Sequence, residues 1–110
     1  MTITTQEKAT IIKDFDSNID ALVLNINSDI DAYNQSNIIL DITTYRGLKP
    51  KDLNQFLSFA KAQNKNKKSF VIAIEDFNFT KTSTKINIVP TVQEAFDIIE
   101  LEEIERDLGF

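Results

Sequence analysis

The chain has 110 residues, enough for one domain with one core, and its 42% apolar and 26% charged content is ordinary globular usage. It contains no cysteine and no histidine. That excludes disulfides, thiolate metal sites and Cys-His or Ser-His-Asp catalysis, and would leave a zinc hydrolase with carboxylates alone. The net charge of −5 argues against nucleic acid, whose binders carry a basic stripe, and no apolar run approaches the roughly 20 residues of a membrane span.

In chain order, Met1 to Lys8 shows no basic region followed by an apolar stretch, so a signal peptide is not expected and the cytoplasm is the expected compartment. Thr2 to Thr5 and Ala9 to Phe15 carry β-branched residues at strand-like density and predict a hairpin turning near Glu7 and Lys8. Ile19, Leu22, Val23, Ile26, Ile30 and Tyr33 fall at offsets 0, 3, 4, 7, 11 and 14, a single helical stripe that Asp16 or Ser17 would cap. Asn37 to Ile42 is too short and too β-branched for a helix and predicts a buried strand ending near Asp41.

A loop from Thr43 to Lys49 leads to Pro50, suited to the first turn of a helix because its missing N–H has no partner there anyway. Leu53, Phe56, Leu57 and Ala60 form that helix's apolar stripe. Its polar end holds the lysine cluster Lys61, Lys65, Lys67 and Lys68, most simply a solvated helix end facing the negative pole of the dipole. Ser69 to Ile74 predicts another buried strand, Asp76 to Lys85 is polar and irregular, and Ile86, Ile88 and Val89 give a last short strand with polar Asn87 among them. Thr91-Val92-Gln93-Glu94 has the form of a capping box, in which each side chain accepts from the other's backbone amide. Helices alternating with buried strands imply an α/β domain over residues 1–110: a mixed, mostly parallel sheet of four or five strands covered by about three helices.

The last helix has an apolar face that changes sides. At about 100° per residue, Val92, Ala95, Phe96 and Ile99 share one side, while Ile98, Leu101, Ile104 and Leu108 lie opposite. One straight helix cannot bury both against one sheet. Either it breaks near Glu100 and the tail folds back, or it runs on and offers Ile98, Leu101, Ile104 and Leu108 to a partner such as a second copy. Arg106 and Gly109 fit a helix end near Leu108.

Few residues suggest chemistry. Asp41, at the carboxyl end of a central strand, sits where α/β folds place ligands, but a carboxylate accepting loop amides is the simpler role. The pairs Asp29/Asp31 and Glu102/Glu103 cannot converge on a helix at those spacings and read as surface charge. Gly47 alone makes no phosphate cradle. Tyr45, Arg46 and Lys49 are residue types that anchor interfaces.

The ordered set Leu40-Asp41-Ile42-Thr43, a loop into a helix at Pro50, Phe70-Val71-Ile72, and Thr91-Val92-Gln93-Glu94-Ala95 resembles the STAS domain of bacterial anti-sigma factor antagonists. The tail from Glu102 to Gly109 is similar to that of some short bacterial STAS proteins. The resemblance implies a partner that is an anti-sigma factor or a related kinase-like regulator. Counted from Asp41, the family's phosphorylatable serine falls on Pro50, which has no hydroxyl, so its switch is absent there. Thr43, Thr44 and Ser58 carry hydroxyls but stand elsewhere. Some short bacterial proteins of this appearance carry the name ribonuclease Z, an activity that needs a histidine-rich dizinc site and so cannot reside here.

The expectation is a cofactor-free, non-catalytic protein-binding module without the serine switch. Its partner surface would be Thr44, Tyr45, Arg46, Leu48, Lys49, Pro50 and Lys51. A self-associating domain using the last helix, and a small-molecule or nucleotide binder, are the alternatives.

Overall fold

In a computed structural model of the chain, which describes residues 1–33, 35–77 and 86–109, the two N-terminal β-branched runs pair as an antiparallel hairpin. Strand β1 (Thr2–Thr5) and strand β2 (Thr10–Lys13) are closed by the Gln6 N–H donating to the Ala9 carbonyl at 2.9 Å. From β2 the sheet continues in sequence order through β3 (Ile38–Asp41), β4 (Phe70–Ala73) and β5 (Asn87–Val89), each parallel to the last. Strands β3 and β4 are buried along their whole length, which is why their sequences are continuous apolar runs rather than alternating ones.

Alternation still decides which layer each side chain enters. Ile38, Leu40 and Ile42 of the β3 region, with Phe70, Ile72 and Ile74 of the β4 region, join the larger core cluster. Ile39 and Val71, between them, belong to a smaller cluster on the other face.

Helix α1 (Ile19–Tyr33) covers the larger cluster with Ile19, Leu22 and Ile26, as the stripe predicts; the side chain of Tyr33 lies outside the described part. The cap differs from expectation. Asn18, not Asp16 or Ser17, accepts at Oδ1 from the Ala21 N–H at 3.1 Å. Asp16 gives its own N–H to Asp14, and Ser17 is turned to φ 56, so the chain is still bending when it passes them.

The second helix also departs from the expected stripe. It is divided into α2 (Pro50–Leu53), a 3₁₀ turn (Asn54–Phe56) and α3 (Leu57–Lys65). A 3₁₀ turn eclipses positions three apart, so Leu53, Phe56 and Phe59 are all buried, while Leu57 is only half-buried. The phenyl rings of Phe56, Phe59 and Phe70 lie with centroids 6.1 to 6.3 Å apart, within the range of favourable aromatic packing. Phe59 was not on the expected stripe because a regular 3.6-residue period does not place it there.

Helix α4 (Val92–Asp107) runs through Glu100 without a break. Ala95 and Ile99, both fully buried, seat it on Ile39 and Val71. Thr91 caps it, its Oγ1 accepting from the Glu94 N–H at 3.1 Å; the return contact is Thr91 Oγ1 to Glu94 Oε2 at 3.4 Å. The fold is therefore α/β, a five-stranded mixed and mostly parallel sheet with α1 to α3 on one face and α4 on the other. No helix among the described residues is long and apolar enough to cross a membrane. Of the polar stretch Asp76 to Lys85, residues 78–85 lie outside the described part.

Candidate functional site

The carboxyl ends of β2, β3 and β4 come together at one end of the sheet, the place where open parallel sheets offer a site. The loop from β3 to α2 rises there and is tethered to acids at or just beyond the ends of the three strands. Asp41, 7% exposed, accepts from the Thr43 N–H at 3.2 Å and its hydroxyl at 2.8 Å. This is the amide-holding role foreseen for it, and it occupies Thr43 as well.

Tyr45 is fully buried, so it cannot be the exposed interface anchor expected from the sequence. Its ring packs in the larger core and its hydroxyl donates to Asp14 Oδ2 at 2.5 Å. Asp14, 4% exposed, also accepts from the Asp16 N–H at 3.1 Å and faces the Met1 ammonium at 3.5 Å. Burial, and then the neighbouring Asp14 carboxylate, push the Tyr45 hydroxyl well above its ordinary pKa. The hydroxyl therefore stays protonated, and the pair acts as a peg fixing the loop to β2. Nothing in the sequence marked Asp14 except an acid closing an apolar strand.

The remaining loop residues turn outward. Arg46 folds back so that Nη1 donates to the carbonyls of Thr43 at 2.8 Å and Tyr45 at 3.0 Å, while Nη2 stands 3.9 Å from Glu75. Gly47 takes φ 72, a conformation a side chain would strain, and its N–H donates to Asp76 Oδ2 at 3.2 Å. Leu48 is half-buried against the larger core and serves as a second peg, with part of its side chain still at the surface. The Lys49 N–H donates to Asp52 at 2.9 Å, fixing the first turn of α2. Pro50 opens that helix and is exposed, as are Thr44, Arg46, Lys49 and Lys51. Ser58 is exposed in α3. The result is a pre-shaped knuckle on which Arg46, Lys49 and Lys51 stand beside the carboxylates of Asp52, Glu75 and Asp76. Among the described residues, no group of three or more carboxylates is arranged to hold a metal ion.

On α4, Leu101, Ile104 and Leu108 are exposed as the straight-helix alternative requires. Ile98, expected with them, packs instead at the margin of the smaller core with Phe96 and Ile11. Of the acidic pair Glu102/Glu103, Glu102 is not plain surface charge: its Oε2 accepts from Asn87 Nδ2 at 3.0 Å, which accounts for a polar residue in β5.

No protein-family model matches the chain, and no curated protein matches it. A solved structure does. The NMR structure of the protein TM1081 superposes with a TM-score of 0.62, covering 89% of this chain and 86% of that one at 14% identity. A likeness at that identity is one of fold.

Proposed function

We propose that this chain is a non-catalytic protein-binding module of STAS type whose partner is an anti-sigma factor or a related kinase-like regulator. The observation that carries this reading is the tethered loop. Asp14 holds Tyr45, Asp41 holds Thr43 and Asp76 holds Gly47, leaving Thr44, Arg46, Lys49, Pro50 and Lys51 exposed in a fixed shape. A pre-shaped surface loses little freedom on binding. Arg46, Lys49 and Lys51 alternate there with Asp52, Glu75 and Asp76, so the surface suits a partner of complementary mixed charge. Counted from Asp41, the family's serine position falls on Pro50, which opens α2 and carries no hydroxyl, so on this reading binding works without the phospho-switch.

The test is binding to a purified anti-sigma factor kinase, using the wild type, Arg46→Glu and Pro50→Ser. Arg46→Glu should weaken capture by about tenfold or more. Pro50→Ser should gain a phosphorylation site for that kinase. Unchanged binding by Arg46→Glu would remove the proposed surface, and an unphosphorylated Pro50→Ser would remove the STAS register.

A further inference from the structure

The outer side of α4 carries an apolar row in an acidic setting. Leu101, Ile104 and Leu108 are 53%, 56% and 67% exposed, and their spacing places them on one side of the helix. At about 100° per residue, Glu94 and Glu105 border the row on one flank and Glu100 and Asp107 on the other. The helix's one basic residue, Arg106, turns away from the row and donates to Ser69 Oγ at 3.1 Å. Beside Ile104, a hollow of about 300 Å³ opens, lined by Lys8, Glu100, Glu103 and Ile104. Lys8 is already spent there, its Nζ 2.7 Å from Glu100 Oε1, and Glu103 shares neighbouring hollows with Lys67, Lys68 and Arg106, so the acids free to face a partner are those bordering the row.

Charge separates the candidate occupants. A second copy docked through the same face would bring two acid-bordered rows together, carboxylate against carboxylate. An anionic lipid surface would be repelled for the same reason. A basic amphipathic helix meets both requirements at once: it covers the apolar row and neutralises its borders. We propose that this face of α4 is a docking surface for a basic amphipathic helix of another protein, its cations set against the carboxylates that border the apolar row. The surface lies across the sheet from the Pro50 loop, so it stands independently of the function proposed above.

The probe is a synthetic leucine–lysine peptide with all its leucines on one helical face, compared with a peptide of the same composition in scrambled order. Wild type and the double variant Leu101→Gln/Ile104→Gln are titrated with each; both positions are exposed, and circular dichroism confirms that the variant keeps its fold. The patterned peptide should bind wild type, lose about tenfold or more in affinity on the double variant, and bind less tightly in added salt. The scrambled peptide should not bind measurably, and wild type should sediment as a monomer. Equal binding of the scrambled peptide, equal binding by the variant, or no binding of the patterned peptide overturns the proposal. A wild-type dimer that the double variant dissociates would give the face to a second copy instead.

Discussion

Replacing Tyr45 by Phe removes one oxygen from the buried peg and leaves the ring in place. The hydroxyl donates to a carboxylate that is 4% exposed, so the loss leaves Asp14 short of a partner where water cannot replace it. A hydrogen bond to a charged group contributes about 1.5–3 kcal/mol, which for a chain of this size lowers Tm by roughly 10 °C. Urea unfolding of wild type, Tyr45→Phe, Asp14→Asn and the double variant measures the coupling directly, and about 1 kcal/mol or more is expected.

The pH dependence gives a second readout. The folded-state pKa of Tyr45 is raised above its unfolded value near 10, by burial first and by Asp14 second. Its contribution is therefore complete below about pH 10, where both states hold the proton. Above that, the unfolded state releases the proton while the folded state keeps it, so stability falls by up to about 1.4 kcal/mol per pH unit until the folded pKa is passed. Tyr45→Phe should lack this alkaline slope. A coupling below about 0.5 kcal/mol, with wild type and variant falling in parallel above pH 10, would show that the pair is not the peg described.

Other changes test other layers. Ile99→Ala empties a fully buried position under α4 and should cost about 2–5 kcal/mol in urea unfolding, whereas Leu101→Ala on the exposed side should stay within about 0.5 kcal/mol. Asn37→Ala removes the Oδ1 that accepts from the Ser69 N–H at 2.8 Å and the Nδ2 that donates to the Lys8 carbonyl at 2.9 Å. Because Ser69 is fully buried, that orphaned N–H alone should cost about 1–3 kcal/mol, read as a lower urea midpoint with unchanged slope. Thr91→Ala removes the α4 cap and should cost about 1 kcal/mol, with Thr91→Ser recovering most of it.

Much of the fold was legible because burial writes itself into short stretches of chain. The runs at Ile38 to Asp41 and Phe70 to Ala73 declared doubly buried strands, and the stripe from Ile19 to Ile30 declared α1. The cap of α1 was misplaced by one or two residues because Asp16, Ser17 and Asn18 are all good capping types. Only the geometry of the bend after Asp14 selects among them. Glu102 looked like surface charge because its partner, Asn87, lies on a strand that sequence spacing cannot bring near it. In the loop after β3, Thr44, Arg46, Lys49, Pro50 and Lys51 are exposed, whereas Tyr45 is buried because its hydroxyl meets Asp14, a residue no local pattern links to it.

By itself the sequence determined the α/β class, the order of the elements, the missing histidine and cysteine chemistry, and the two apolar sides of the last helix. These depend on composition and local periodicity, which a chain carries wherever it folds. Only the tertiary structure decided that α4 runs straight and leaves Leu101, Ile104 and Leu108 in water, that a 3₁₀ turn brings Phe59 inward, and that Tyr45 points into the core to meet Asp14. Those outcomes turn on residues as far apart as Asp14 and Tyr45, or Ile39 and Ile99. Contacts between distant parts of a chain are set by how whole layers pack, and no local pattern encodes them.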